Sequence, residues 1–370
     1  MVDKGFGDNP FTPTFGQVPT NMAGRNDLIR EMARAFDAQT RAPELTMLIS
    51  GARGSGKTAL LSTISDEADQ RGWACVNAVS APGMLEDVLV QTVDKSRHLI
   101  DTESARTRLT ELGIGQIVNV AWEHADETQA NWRLKMQKLI EELNGAGIGL
   151  LIAVDEVDVS VDEMVTLASV YQLFVRENRK VSLIMAGLPY NIEKAKGDKR
   201  ISFIRRAQQR RLGRIADAEV ANAMRKTIDQ GGRSIGDEAL SVAVDAADGF
   251  PFMIQLVGYR MWDQSPERPE ISPEDARIGA NLAYEELRTS VLESTYRDLS
   301  DGDVAFLKAM LPDENGTLMK DVASRMGKTT SYASTYRKRL LRQGIINEPD
   351  RNTVGFELSG FRDFLIDRLG

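Results

Sequence analysis

The sequence predicts an α/β protein in three parts: a parallel sheet covered by helices, an all-helical segment, and a small helix-and-hairpin module. Three observations point there. Short apolar runs alternate with segments of helical periodicity from Thr46 to Ala186, as in a parallel sheet buried on both faces. A glycine-rich turn follows the first apolar run and opens a helix. After about Gly213 the strands stop, and the last stretch of the chain changes rhythm again.

Gly5, Gly7, Pro10, Pro13, Gly16 and Pro19 make residues 1–20 an extended arm. Asn26–Ala38 reads as an amphipathic helix with Leu28, Ile29, Met32, Ala35 and Phe36 on one side. Thr46–Ser50 is a buried strand, Lys57 to Arg71 a helix, and Trp73–Val79 a second strand. Ala81–Leu112 is mostly helical and Gly113–Asp126 irregular. Gln129–Leu143 is a helix stopped by Asn144-Gly145. Gly149–Val154 and Val181–Ala186 are apolar strands around a helix at Val161–Val175. Asp217–Gln230, Gly236–Ala247, Phe252–Gln264 and Pro273–Leu299 are helices. The expected domains are an arm at 1–20, a core at 21–213, a helical lid at 214–299 and a terminal module at 300–370.

Length and composition narrow the function. At 370 residues, two to three domains of about 100–200 residues are expected. No apolar stretch approaches the ~18 residues of a membrane helix, and Met1–Pro10 shows no secretory apolar region. One cysteine, Cys75, excludes an internal disulfide framework. Cys75 with His98 and His124 makes no ordinary zinc site. A cytoplasmic protein without a membrane partner is expected. The net charge of −8 argues against a surface that coats nucleic acid. Residues 317–370, however, carry ten basic and six acidic side chains, a net +4, leaving −12 on the rest.

Gly51-Ala52-Arg53-Gly54-Ser55-Gly56-Lys57-Thr58 fits G-x-x-x-x-G-K-[ST] between strand and helix. Glycines let backbone N–H groups turn inward around phosphate oxygens, and the helix N-terminus favours negative charge. Lys57 is expected to reach the β- and γ-phosphates and the Thr58 hydroxyl to bind Mg²⁺, with ATP or ADP as ligand. Downstream, Leu150–Val154 ends in Asp155-Glu156. Asp155 is expected to hold the metal and Glu156 to activate the attacking water. Otherwise Asp155 is a helix cap and Glu156 a solvated charge. Asp158 is expected to face solvent or cap the next helix, and Arg53 to be exposed. Trp122, Trp132 and Trp262 are expected to fill cores, Cys75 to be a small apolar filler, and both histidines to lie at the surface.

These motifs, with Asn9-Pro10-Phe11, Phe15-Gly16, Pro19 and Ala23-Gly24-Arg25, resemble an AAA+ ATPase of the origin-recognition-like, archaeal-type group bordering the STAND ATPases. Arg205-Arg206-Ala207 with Arg211-Leu212 and Ile215, and Gly249-Phe250-Pro251-Phe252-Met253-Ile254-Gln255, resemble that group's passage into the lid and its G-x-P motif. The resemblance implies that Gly24 and Arg25 lie near adenine and that Pro251 packs near the nucleotide. It also makes Arg205 and Arg206 candidate trans arginine fingers in a homo-oligomer; the alternative is a solvated or salt-bridged basic helix. Two departures stand out. The fourth strand ends Met185-Ala186-Gly187-Leu188-Pro189 with no polar sensor, and the G-x-P segment replaces a sensor arginine. Fewer polar groups aimed at the γ-phosphate imply tight binding and slow turnover, the behaviour of a switch.

In the terminal module, Asp303–Leu311 is a helix with Val304, Ala305, Leu307 and Met310 inward. Thr317–Met326 is a second, with Leu318, Val322, Ala323 and Met326 inward, and Thr329–Gln343 a third. Ile345–Asn347 and Val354–Leu358 flank a turn as a hairpin, and Gly360–Leu369 closes the chain. Three helices plus a hairpin make a winged helix-turn-helix, an order that also resembles the origin-recognition-like ATPases. In the third helix Ala333, Tyr336 and Leu340 are expected inward. Ser331, Ser334, Thr335, Arg337, Lys338, Arg339 and Arg342 are expected outward, suiting a major groove. Lys328 and Arg351 would sit beside phosphates of double-stranded DNA. The rivals are a winged helix that docks a protein and a remnant that holds ADP permanently, with a replication-initiator role a minor option; Glu156 argues against the remnant.

Overall fold

The computed structural model describes residues 8–14, 16–99 and 128–369. The irregular stretch Gly113–Asp126, the end of the predicted helix at Leu112, Phe15, Trp122 and His124 lie outside them. The chain divides into two compact units. One comprises Arg25–Ser50 and Lys57–Arg211; the other comprises Met1–Gly24, Gly51–Gly56 and Leu212–Gly370. No helix among the described residues is long and apolar enough to cross a membrane.

The first unit is built on α1 (Asn26–Asp37), α2 (Lys57–Asp69), α3 (Met84–Leu99), α4 (Thr128–Gly145), α5 (Asp162–Arg176) and α6 (Pro189–Gly197). Its strands are β1 (Thr46–Gly51), β2 (Ala74–Val79), β3 (Leu150–Asp155), β4 (Val181–Gly187) and β5 (Gln208–Leu212), in the order β2-β3-β4-β1-β5. The pairs β2–β3, β3–β4 and β1–β4 are parallel. Val154 lies beside Met185 and Ser50 beside Gly187, so β4 separates the strand that leads to the glycine loop from the strand that ends in Asp155. Every residue of β4 is buried, as its apolar sequence requires. Leu48, Val76, Ile152 and Leu183 pack with Trp132, Met136, Leu139 and Ile140 of α4. Gly149 is obligatory: an added Cβ would lie 2.4 Å from the Trp73 ring, whose Nε1 donates to the Phe36 carbonyl at 3.1 Å.

Two elements here differ from the sequence reading. β5 is a strand although Gln-Gln-Arg-Arg-Leu has no apolar run. It sits at the sheet edge with one neighbour, where charged side chains are tolerated and discourage further pairing. The helix Pro189–Gly197 starts on a proline at its first position, which needs no amide hydrogen bond there. At the opposite edge the Gln91 side chain caps β2. Its amide donates to the Asn77 carbonyl at 2.9 Å, and its oxygen accepts the Asn77 N–H at 3.2 Å.

The second unit contains α7 (Asp217–Gln230), α8 (Asp237–Ala247), α9 (Pro251–Trp262) and α10 (Pro273–Leu287). Contrary to the expectation that strands stop, β6 (Ser234–Ile235) and β7 (Glu270–Ile271) form a two-residue parallel pair. The arm is strapped to α9. Asn9 Nδ2 donates to the Tyr259 carbonyl at 3.0 Å and the Thr12 amide donates to Gln255 Oε1 at 3.1 Å. Phe11 is buried against Gly258, where an added Cβ would meet its ring at 2.3 Å. Past α10 a five-residue π-helical turn, Arg288–Leu292, leads into α11 (Glu293–Arg297). The Thr289 hydroxyl donates to the Glu285 carbonyl there at 2.9 Å and Ser294 to the Val291 carbonyl at 3.0 Å, partnering carbonyls in the widened turn.

The terminal module has α12 (Asp301–Met310), α13 (Met319–Arg325), α14 (Thr330–Gln343) and α15 (Phe361–Leu369). A three-stranded antiparallel sheet accompanies them: β8 (Thr317–Leu318), β9 (Ile346–Asn347) and β10 (Thr353–Phe356), in the order β8-β10-β9. Thr317–Leu318 was expected to begin a helix. As a strand it leaves Leu318 exposed, and Met319 takes the buried position. Ala305, expected inward, is exposed; Phe306 and Ala309 are buried instead. The module is fastened to the lid by α15. Phe364 meets Tyr296 edge-on at 5.9 Å and stacks on Phe361, while Arg368 lies 4.7 Å from the Tyr296 ring centre.

Candidate functional site

The turn after β1 is shaped by its glycines. A Cβ at Gly51 would strike the Ser55 hydroxyl at 2.4 Å, and Gly54 and Gly56 take φ of +76° and +84°. Only glycine adopts that left-handed backbone without strain. The loop therefore doubles back on itself, the Ser55 amide donating to the Ala52 carbonyl at 3.3 Å. The Ser55 hydroxyl is buried with no protein partner. Gly54 and Gly56 face Phe252 and Pro251, each about a van der Waals contact away from where a side chain would begin. Arg53 is exposed, as expected.

The G-x-P segment that brings Pro251 there is itself tightly determined. Asp248 and Gly249 have positive φ, Gly249 packs where a Cβ would hit the Ile215 carbonyl at 2.4 Å, and the Gly249 carbonyl accepts the Ile215 amide at 2.8 Å. Gly24 lies against the same Ile215, with a Cβ position 2.8 Å from its side chain. Arg25 is half-buried and its carbonyl accepts the Ile29 amide at the start of α1.

Lys57 opens α2 and is buried, only 6% exposed. Thr58 Oγ1 donates to Asp155 Oδ2 at 2.5 Å, and Asp155 Oδ1 accepts the Glu156 amide at 2.8 Å. Thus Thr58 and Asp155, each expected to bind Mg²⁺, are brought together. Glu156 is exposed with φ +51°. The other non-glycine residues at positive φ among those described are Asn178, Asp248 and Asn352, types that tolerate this region. Glu156 is the exception, and its strain sits beside Asp155.

These oxygens fit Mg²⁺. Hydroxyl and carboxylate are hard donors, and Mg²⁺ takes one or two such protein ligands with substrate phosphates and water. Among the described residues no group of three or more His, Cys, Asp or Glu could hold a metal ion.

Asp158 is half-buried rather than solvent-facing. Its Oδ1 accepts the Ser160 amide at 2.9 Å and lies 3.6 Å from Lys194 Nζ. Burial raises its pKa, but the Ser160 bonds and Lys194 outweigh that and hold the carboxyl below its usual range. Trp132, Trp262 and Cys75 are buried and His98 is exposed, as expected. Arg205 and Arg206 end a 3-10 segment at Lys199–Arg206 and are exposed.

On α14, Ser331, Thr335, Lys338 and Arg342 are exposed at spacings of four, three and four residues, which puts them on one helix face. Lys328 and Arg351 are also exposed. Three neighbours differ from the outward orientation expected of them. Arg337 is half-buried and paired with Glu348 at 3.2 Å. Ser334 is half-buried and donates to the Thr330 carbonyl at 2.8 Å. Arg339 Nε donates to the buried Asp303 at 2.9 Å, tying α14 to the capping box of α12. Helical spacing alone could not show which bases the neighbouring elements would pair. Tyr332, not singled out by sequence, is exposed on this helix, with Lys328 Nζ 5.6 Å from its ring centre.

Residues 21–185 match the family described as AAA ATPase domain, and residues 289–365 match a domain of unknown function (DUF8462). No curated protein matches the chain. The chain is similar to the solved ORC2 protein of Aeropyrum pernix in ADPNP-ADP complexes, with TM-score 0.61 and 13% identity over 96% of this chain and 95% of that one. It is similar to the Walker-type ATPase paby2304 of Pyrococcus abyssi, with TM-score 0.61 and 14% identity over 93% and 96%. It also resembles Cdc6p of Pyrobaculum aerophilum, with TM-score 0.50 and 13% identity over 97% and 98%. At these identities the structural likeness speaks for the fold. Residues 21–185 are therefore an AAA ATPase domain, within a chain whose fold is that of the archaeal Cdc6 and ORC2 structures.

Proposed function

We propose that the protein is a cytoplasmic ATP-binding switch with slow, Mg²⁺-dependent hydrolysis, and that nucleotide state governs a DNA-binding terminal module. The domains proposed for this switch are an arm at 1–20, a core at 21–213, a lid at 214–299 and a winged helix at 300–370. The observation that carries the nucleotide reading is the meeting of Thr58 and Asp155 directly after a loop that only glycines can form.

In this reading the amides of Gly51 to Gly56 cradle phosphate oxygens and Lys57 offsets their charge. Thr58 and Asp155 hold Mg²⁺, which when bound neutralises charge building on the phosphates. Glu156 orients the attacking water and accepts its proton. Gly24, Arg25 and Pro251 border the nucleotide. The buried apolar end of β4 brings no polar side chain to the γ-phosphate, so turnover is slow.

For the module, the face formed by Ser331, Thr335, Lys338 and Arg342 supports major-groove binding, with Lys328 and Arg351 on phosphates. Replacing Lys338 and Arg342 with Ala should flatten the salt dependence of duplex binding, by about 0.9 in log–log slope for each lost contact. An unchanged slope would remove this face from the interface. The exposed Leu318 and Tyr332 favour a second reading, a protein partner on the module. No salt-sensitive binding of the intact protein to any duplex would make that reading the better one.

A further inference from the structure

The strongest charge in the molecule lies outside both features above. Residues 196–211 hold Lys196, Lys199, Arg200, Arg205, Arg206, Arg210 and Arg211 against a single acid, Asp198. That is a net +6 in sixteen residues, so the rest of the chain carries −14. It is a denser basic run than the terminal module.

Ion pairs account for part of it. Lys196 pairs with Glu193 at 2.6 Å, Arg200 with Asp198 at 2.8 Å and Asp162 at 3.1 Å, and Arg210 with Glu31 at 2.6 Å. Lys199, Arg205, Arg206 and Arg211 have no acidic partner among the described residues, and all four are exposed. Arg205 contacts only a carbonyl, that of Lys196, through its Nε at 2.8 Å. Four uncompensated cations on an acidic protein repel one another, and nothing in the fold requires them there. On β5 the alternation of the strand puts Gln209 and Arg211 on the exposed side and turns Arg210 toward Glu31.

The chemistry of the surface narrows the partner. No large apolar side chain in residues 196–211 is exposed, whereas a protein interface needs an apolar or aromatic centre. Three of the four free cations are arginines, whose planar forks suit phosphate oxygens. We infer that the segment Lys199–Arg211 is a second phosphodiester-binding surface, through which the ATPase core contacts the backbone of duplex DNA independently of base sequence. This rests on the DNA reading of the terminal module and extends it to the core.

The test compares three proteins on one mixed-sequence duplex across a salt series: wild type, Lys199→Glu/Arg206→Glu/Arg211→Glu, and Lys338→Ala/Arg342→Ala. The substituted side chains are exposed, so the melting transition should stay at the wild-type position. The core variant should lower the log–log salt slope by about two to three, roughly 0.9 per lost phosphate contact, and do so equally on unrelated sequences. If it keeps the wild-type slope while the module variant loses slope, the core surface is overturned and the module reading stands. If wild type shows no salt-dependent binding, both fail. A core variant with unchanged slope but without protein-concentration-dependent ATP turnover would assign these cations to a second copy of the chain, against the inference.

Discussion

Thr58 and Asp155 are separated by 97 residues in sequence, and their side-chain oxygens meet at 2.5 Å. Thr58 is the second residue of α2 and Asp155 the last of β3. The parallel order β3-β4-β1 brings the C-terminal ends of both strands to the same end of the sheet. A hydroxyl and a carboxylate so placed supply the one or two protein ligands that magnesium usually takes beside phosphates and water.

Asp155→Asn and Thr58→Ala should each weaken ATP binding in Mg²⁺ but leave binding in EDTA near wild type. Titration with a fluorescent ATP analogue under both conditions checks this. A metal-independent loss would mean that the two residues act on the nucleotide directly or on folding.

Glu156 separates stability from catalysis. Glu156→Gln should bind ATP and lose hydrolysis, because the amide cannot accept the proton from water. Glu156→Gly should also lose hydrolysis. It should nonetheless be no less stable than wild type, and up to about 1 kcal/mol more so, because glycine takes positive φ without strain. Chemical denaturation with a steady-state ATPase assay reads both quantities.

The fold was legible where burial and sequence pattern agree. β1, β3 and β4 are apolar runs, and α7 spans the predicted Asp217–Gln230. β5 was not legible because an edge strand needs no apolar pattern. The loop and Asp155-Glu156 were visible as motifs, but the strain at Glu156 was not, since no residue type announces it. The outward face of α14 was half legible. Arg337 and Arg339 read as free bases until the hairpin supplied Glu348 and α12 supplied Asp303.

The arm should matter to the lid. Phe11→Ala empties a socket built around Gly258 and should cost about 3–5 kcal/mol, followed by urea denaturation. A loss below about 1 kcal/mol would mean that the arm is not fastened to α9.

Cys75 should be chemically silent in the native protein. Burial pushes its thiol up to about 12, with Asp69 and Asp66 adding to the rise and Lys95 opposing it. Since the thiolate is the reactive form, iodoacetamide at pH 8 should label Cys75 only after unfolding. The unfolded thiol ionises near 9, so above that pH the unfolded state releases a proton that the native state keeps. Stability should fall as pH rises from 9 toward 12. Rapid native-state labelling would contradict this burial.

The most direct test is the thermal shift of wild type and Lys57→Ala with ATP and Mg²⁺. A ligand that binds only the native state stabilises it by about 2.7 kcal/mol at a hundredfold excess over Kd. Wild type should melt several degrees higher with nucleotide, and Lys57→Ala should melt at the same temperature with and without it. Equal nucleotide-induced shifts in the two proteins would contradict the assignment of the Gly51–Thr58 loop as the phosphate site.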